Sequence, residues 1–344
     1  MFTQIARRLA ALGALMLAFV IASPERSEAA DPDKLNIAVI LSAGIDSAWD
    51  GTLIEAFERV KAAKPHGLDI TWKYTDPLWG DDAGDAMRLF AESGAYDIIW
   101  AHSTYSDQVK KLREEFPEIL FVVVGSGNEG LGGNQYWVYK RVHEPAYLLG
   151  YAAGKLSKSN RLGAVGTFPA DDVNDEINAF FAGAKAANPT VERSVAFIES
   201  WYDPAKAGEY TNAQIATGVD LIFQLTGNFK PCEEAKILCF GNFQDQRAFS
   251  PTTVLSSAVA MWDPDVKWIV DEWWAHKVES KPYAGNTEKR WLSMKDGGSV
   301  ITPNPDLQAA VPEAVQAELE ELKAKIMAGS FEVPLDVSDP KVAK

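Results

Sequence analysis

Cysteine, histidine and basic residues are all scarce in this sequence of 344 residues, and each shortage excludes a class of protein. Two cysteines are too few for a disulfide-rich scaffold. Four scattered histidines lack the spacing of a metal site, so we expect no metal and no cofactor. The 33 Lys plus Arg against 48 Asp plus Glu give a net charge of −15, which disfavours a nucleic-acid partner.

Long hydrophobic runs are also missing, apart from a short one near the N-terminus. Residues 9–21 form an apolar stretch behind two arginines, and small residues follow at positions 29 and 30. This pattern is typical of a cleaved secretory signal peptide, and the stretch is shorter than the roughly 20 residues that span a bilayer. The sequence predicts a signal peptide at residues 1–30 and a soluble exported chain, with no cysteine near the cut to carry a lipid anchor.

Tryptophan, in contrast, is abundant, with 11 residues in the chain. A hydrophobic content of 47% and a charged content of 24% are those of a globular protein, and the length suggests about two domains. Indole rings are large and carry an N–H that needs a partner when buried. The excess therefore needs a reason, either packing in the core or stacking on a ligand.

The two cysteines, Cys232 and Cys239, are separated by seven positions. In an oxidising compartment they can close a small loop as a disulfide, and export slightly favours this interpretation. The alternative is a pair of buried thiols, since Cys239 lies in an apolar run. Their spacing does not suit a zinc site.

Apolar runs and amphipathic segments alternate along the chain from about residue 34. Residues 35–41 and 119–124 are continuous apolar runs, as expected for strands that are buried on both faces of a parallel sheet. The alternation starts again after residue 143. We therefore predict an α/β fold with two doubly wound parallel-sheet lobes that face each other across a cleft.

Familiar catalytic patterns fail in this sequence. Residues 125–130 have the glycine spacing of a dinucleotide fingerprint, but they lead into an extended segment and not into a helix. His143 and Glu144 begin like a zinc-protease helix, but Tyr147 stands where the second histidine is needed. Adjacent carboxylates, such as Asp171 and Asp172, are more simply solvated turn residues. Nothing here demands an enzyme.

The turns after the predicted strands are rich in aromatic rings, carboxylates and amides. Ligands of parallel α/β sheets gather at these carboxyl ends, and aromatic faces with directional acceptors suit a flat, nitrogen-rich ring. The structural alternative is that Asp and Asn at these positions cap helices. The candidate ligand-binding residues in these turns are Asp46, Trp49, Asp50, His102, Tyr105, Asp107, Trp201, Asn228 and Phe243.

Several longer motifs resemble the basic membrane protein family, which are substrate-binding proteins of ABC transporters similar to purine-nucleoside receptors. They are HEPAYLLGYAAG at 143–154, INAFFAGAK at 177–185, SWYDPAK at 200–206 and KDG at 295–297. The likeness runs from about residue 34 to 334. It implies a type I periplasmic-binding-protein fold with a hinge, a periplasmic location, a small-molecule ligand and an ABC permease as partner.

The resemblance also carries binding residues onto this chain. The family's Asp-x-x-Phe-Asn turn corresponds to Asp46, Trp49 and Asp50, with Trp in place of Phe as the stacking ring and Asp in place of Asn. The other correspondences, in a second binding turn and on the opposite lobe, are Tyr105, Asp107, Asn174 and Trp201.

Two departures from the family pattern affect the expected ligand. Nucleoside receptors carry an Asp and a Lys at the sugar end of the site, where this chain has Phe243 and Ala260. Sugar hydroxyls would lose both partners, and a phenyl ring would shrink and dry that end. The hypothesis is therefore a free purine base or a similar small nitrogen heterocycle. Alternatives are a purine-nucleoside receptor, a secreted nucleoside hydrolase that uses Asp46 and Asp50, and a ligand sensor domain.

The expected lobes are discontinuous in sequence. Residues 34–140 and about 255–285 form lobe 1, and residues 141–254 and about 286–334 form lobe 2, with the ligand cleft between them. We expect a monomer that closes about its hinge when ligand binds.

Overall fold

The computed structural model describes residues 32–341, so the predicted signal peptide lies outside the described part of the chain. Within this part, no helix is both long enough and apolar enough to span a bilayer.

The first sheet is built from strands that alternate with helices, and its five strands are all parallel, in the order β2-β1-β3-β4-β5. Its central strands are largely apolar and buried because helices cover both faces, whereas the edge strand Asp69–Tyr74 is mostly exposed. The elements are β1 (Lys34–Ile40), α1 (Ala48–Ala63), β2 (Asp69–Tyr74), α2 (Gly80–Glu92), β3 (Ile98–Ala101), α3 (Ser106–Glu115), β4 (Leu120–Val124) and β5 (Gln135–Val138).

The second sheet begins after the chain leaves β5. Its elements are α4 (His143–Leu156), β6 (Arg161–Gly166), α5 (Asp171–Ala187), β7 (Glu192–Phe197), α6 (Pro204–Ala216), β8 (Leu221–Gln224), α7 (Lys230–Ala235), β9 (Leu238–Phe243) and β10 (Val254–Ala260). Helices α4 and α5 approach closely through glycines. A Cβ on Gly150 would lie 1.8 Å from the Phe180 carbonyl oxygen, so only glycine fits there.

The chain then returns to the first lobe and crosses over once more. Helix α8 (Asp263–Lys277) packs on the first sheet's core through Val266 and Trp273. Strand β11 (Ser299–Pro303) pairs antiparallel with β10, and α9 (Glu313–Met327) follows. The second sheet has the order β11-β10-β9-β8-β6-β7. The predicted class, two lobes with largely parallel sheets, is confirmed.

One predicted lobe bound differs from the structure. The sequence placed the return to lobe 1 at about residue 255, but β10 pairs with β9 and β11 in the second sheet. The chain reaches the first lobe only after Ala260. The apolar pattern of a strand does not indicate which sheet the strand joins, so this difference could not be predicted from the sequence. The remaining lobe bounds stay a prediction.

The two cysteines are joined by a disulfide that links α7 to β9, and both are fully buried. The disulfide interpretation of this pair is confirmed, and the alternative of two buried thiols is not.

Candidate functional site

The carboxyl ends of the two sheets face a cavity of about 430 Å³. The turns after β1, β3 and β4 line it from the first lobe, and the turns after β6, β7, β8 and β9 line it from the second. This is the edge of a parallel sheet at which ligands are expected to bind. Among the predicted site residues, those that line the cavity are Asp46, Trp49, Trp201, Asn228 and Phe243.

Trp49 is held in place from several sides. Ser47 caps α1 and accepts a hydrogen bond from the Trp49 backbone N–H at 3.2 Å, which fixes the start of the helix. The indole N–H donates to the His102 carbonyl oxygen at 3.0 Å. The indole stacks on the His102 ring at 4.9 Å and meets the Phe243 ring edge-on at 5.1 Å. Because its N–H is already bonded, Trp49 presents ring surface to the cavity and no donor.

The second lobe supplies aromatic surface as well. Trp201 follows β7, packs against Phe168 with ring centroids 4.9 Å apart, and keeps 38% of its surface exposed. Tyr202 and Phe249 also line the cavity and are more exposed than Trp201. Exposed rings on a cavity wall are sites at which a flat solute can cover apolar surface.

Asn228 and Phe243 line the cavity but offer a ligand few free hydrogen-bonding groups. The Asn228 amide donates to the Pro204 carbonyl oxygen at 2.6 Å, and its oxygen accepts from the Lys230 backbone N–H at 3.2 Å. Both groups of Asn228 therefore bind the protein itself. Phe243 lies in the left-handed backbone region, with φ of 60°, which is uncommon for a bulky residue.

Asp50 does not line the cavity, although the sequence placed it in the site. It is fully buried, and its Oδ2 accepts from the backbone N–H groups of Ser42, Ala43 and Gly44 at 3.2, 2.6 and 2.7 Å. Burial raises the pKa of Asp50 to about 7. Its carboxyl group shapes the turn between β1 and α1.

His102 and Tyr105 lie beneath the cavity wall. His102 is fully buried, its Nδ1 accepts from the Trp100 indole N–H at 3.1 Å, and burial lowers its pKa to about 3, so it stays neutral. The Tyr105 hydroxyl donates to the Leu78 carbonyl oxygen at 2.6 Å, and its ring packs against Trp79. Both residues support the wall from behind.

Asp107 and Asn174 also lie away from the cavity. Asp107 is exposed in the first turn of α3, where a carboxylate stabilises the helix. The Asn174 amide donates to the Val337 carbonyl oxygen at 3.0 Å and so holds the C-terminal segment against α5. The side chain of a turn residue can face the cavity or face away from it, and its position in the sequence does not determine which.

Asp172 is a cavity residue that the sequence reasoning set aside as a solvated turn carboxylate. The structure contradicts this, because Asp172 is 6% exposed and lines the cavity at the start of α5. Its Oδ1 accepts from the Ser126 hydroxyl at 3.0 Å, which connects the two lobes. Burial raises the pKa of Asp172. Its place in a turn after a parallel strand was the signal that could have found it.

Asn242 is the second polar residue that was missed. It lies in β9, is 1% exposed and lines the cavity. Its Nδ2 donates to Glu176 Oε2 at 2.7 Å, and its Oδ1 has no hydrogen-bond partner within residues 32–341. A buried acceptor without a partner is costly, so Asn242 is suited to receive a ligand N–H group.

Metal binding gains no support from the described residues. No group of three or more His, Cys, Asp or Glu side chains between residues 32 and 341 is arranged to hold an ion.

Comparisons with known proteins agree with this architecture. Residues 34–336 match the family described as ABC transporter substrate-binding protein PnrA-like. A purine-binding protein of Brucella abortus is 28% identical over 73% of this chain and 69% of its own length. Basic membrane protein A2 of Borrelia garinii subsp. bavariensis is 25% identical over 84% of this chain and 85% of its own.

A solved structure shows the same fold. The ABC transporter system solute-binding protein of Aeropyrum pernix K1 superposes with a TM-score of 0.71 over 89% of this chain and 94% of its own, at 18% identity. The resemblance inferred from the motifs is confirmed, because the family match covers most of the chain. This chain belongs to the PnrA-like substrate-binding proteins of ABC transporters, which implies a small-molecule ligand and a membrane transporter as its partners.

Proposed function

We propose that this protein binds a free purine base, or a similar small nitrogen heterocycle, as the exported receptor of an ABC importer. The observation that carries the proposal is the ring of Phe243, which lies against Trp49 on the cavity wall. Trp201 offers a second ring from the same lobe as Phe243. The purine-binding relative from Brucella supports the same ligand class.

Phe243 offers no charged partner for a sugar, and the residues beside it that line the cavity, Asn242 and Gln244, are uncharged. Phe243 packs with Val142 and Ala260, and both of these neighbours are fully buried. Sugar hydroxyls placed against the Phe243 ring would leave water without gaining a hydrogen bond from it, at a cost of about 1–3 kcal/mol for each group. A base without its sugar avoids this cost.

Binding is coupled to closure of the two lobes in this proposal. The lobes already touch at the Ser126–Asp172 hydrogen bond and between Glu55 and Gln244. A ligand that contacts both lobes favours the closed state by its extra contacts there. The permease then recognises that closed shape, and a monomer is sufficient for this cycle.

Titration calorimetry of the purified chain with adenine, hypoxanthine, adenosine and inosine tests the proposal. We expect the bases to bind at least tenfold more tightly than their nucleosides, or about 1.4 kcal/mol. Tight nucleoside binding without base binding would contradict the base hypothesis and favour a nucleoside receptor.

A Phe243→Asp variant sharpens this experiment. It supplies the missing carboxylate, and Asp tolerates a positive φ better than Phe does. We expect the variant to gain nucleoside affinity, whereas Phe243→Asn, of similar size and without charge, serves as the matched control.

The position of Asp50 does not favour the hydrolase alternative. It required Asp46 and Asp50 to act together, but Asp50 is buried and bonded to three backbone N–H groups. Incubation with inosine and chromatography for released hypoxanthine tests this class directly, and we expect no release.

A further inference from the structure

The charges around the cavity are one-sided. Asp46 and Asp172 line it, and no Lys, Arg or His does so among the described residues. An anionic ligand would find no counter-charge on these walls, and an unpaired anion in a desolvated site is strongly disfavoured.

Asp172 forms no salt bridge within residues 32–341, although the Arg141 charge acts on it from a longer distance. Within residues 32–341 its side chain accepts from the hydroxyl and the backbone N–H of Ser126, at 3.0 and 3.3 Å, and both donors are neutral. It lies in the first turn of α5, where the helix N-terminus stabilises negative charge. Asp172 is therefore held as an acceptor that faces the cavity without a salt bridge.

The layer behind Asp172 does not supply a free cation either. Arg141 reaches this region and is paired with Asp175. Glu176, on the same turn of α5, has Asn242 as its hydrogen-bond partner. The Arg141 charge thus acts on three carboxyl groups, those of Asp172, Asp175 and Glu176, and Asn242, which lines the cavity, has a buried Oδ1 without a hydrogen-bond partner among the described residues.

We propose that the cavity selects a cationic nitrogen heterocycle, whose N–H groups donate to Asp172 and to the Asn242 oxygen. This inference rests on the proposed function and adds the ligand's charge to it. Burial raises the pKa of Asp172, and a cation in the cavity would stabilise its ionised form, in surroundings where water screens the two charges little. The ring surface of Trp49 attracts positive charge as well. Neutral rings, which include adenine and hypoxanthine near neutral pH, bind more weakly than a cationic ring of the same shape, and anionic or phosphorylated rings are excluded.

Three probes on one ring separate charge from shape. Benzamidinium is a flat cation with an N–H edge, benzamide is its neutral counterpart and benzoate is the anion. We expect calorimetry at millimolar ligand to show benzamidinium binding about tenfold or more tightly than benzamide, with no binding of benzoate. Equal affinity for benzamidinium and benzamide, binding of benzoate, or no binding of benzamidinium would each overturn the proposal.

Asp172→Asn locates the effect. The amide keeps the shape and removes the charge, so we expect the preference for benzamidinium over benzamide to disappear. Asp171→Asn is the matched control, because Asp171 is the adjacent residue, is half exposed, does not line the cavity and should leave the preference intact. Circular dichroism and thermal melting establish that both variants fold.

Failure of the charge inference can be distinguished from failure of the proposed function. If purine bases do not bind but benzamidinium is still preferred through Asp172, the charge inference stands and the ligand is a cationic heterocycle of another class. If purine bases bind and Asp172→Asn leaves the preference for benzamidinium unchanged, the base hypothesis stands and the charge inference is wrong.

Discussion

Trp49 shows at the residue scale how a binding ring is fixed in position. Its indole N–H, its ring face and its backbone are each held by a neighbour, namely His102 or the cap residue Ser47. Such a ring loses little side-chain entropy when a ligand stacks on it, because it was ordered before binding.

Replacement of Trp49 by Ala removes this preordered surface. We expect ligand affinity to fall by about 2 kcal/mol or more, as for loss of a buried aromatic anchor, measured by calorimetry. Trp274→Ala is a matched control, because Trp274 stacks on His66 and does not line the cavity. If both variants bind equally well, Trp49 is a packing residue only.

Asp50 makes the stability of the fold depend on pH. Burial raises its pKa from 3.8 to about 7, so the folded protein holds this proton more tightly than the unfolded chain does. The stability that the neutral form contributes is complete below the unfolded pKa and is lost as the pH rises through about 7. His102, whose pKa burial lowers to about 3, has the opposite sign and destabilises the fold in acid.

The Asp50→Asn variant separates the pH-dependent effect of the Asp50 carboxyl group on stability from that of His102. The amide stays neutral, so we expect the variant to gain stability relative to wild type between about pH 4 and about pH 8, in urea unfolding at both values. Asp107→Asn, at an exposed position, is the control. A stability difference that is the same at both pH values would mean that Asp50 ionises alike in the folded and unfolded chains.

At the scale of elements, the disulfide shows how a short helix is secured. Helix α7 has only six residues, which is too few for an isolated helix to be stable. The bond between Cys232 and Cys239 joins this helix to the adjacent strand β9, whose end carries Asn242 and Phe243 into the cavity.

Replacement of both cysteines by Ala tests this role. The closed loop is short, so the chain-entropy estimate for its loss is about 2 kcal/mol of unfolding free energy. Ligand affinity should stay within about twofold, because neither cysteine lines the cavity. Urea unfolding and calorimetry measure the two quantities, and unchanged stability would show that packing alone holds α7.

The elements themselves could largely be predicted from the sequence. Strand β4 is a continuous apolar run, β1 is apolar except for Lys34 and Asn36, and α1 follows its helical spacing, because local patterns fix local structure. The side of a turn on which a residue faces could not be predicted. Asp46 and Asp50 lie four residues apart, yet one lines the cavity and the other is buried against the backbone.

At the scale of the whole molecule, the three crossovers between the lobes meet around one buried ion-pair network. Lys140 and Asp265 are both fully buried and paired, and Arg290 also contacts Asp265. The Lys140 ammonium donates to the Met261 carbonyl oxygen at 2.6 Å. The network thus ties all three crossovers to the start of α8.

Asp265→Ala leaves the Lys140 charge buried without its carboxylate partner. We expect a loss of about 3–5 kcal/mol in the free energy of unfolding, measured in urea. Arg59→Ala is the control, because it breaks the partly exposed Arg59–Asp263 pair at the same end of α8, which is worth about 0–1 kcal/mol. Similar small losses in both variants would show that the network does not hold the three crossovers together.

The sequence by itself determined the two-lobe α/β architecture and the strand-end turns that surround the cavity, because buried parallel strands and their helices leave a periodic pattern in the chain. Tertiary structure alone decided that β10 joins the second sheet and that Asp172 faces the cavity. Both depend on contacts between residues far apart in sequence, and desolvation of a carboxylate is set by everything packed around it.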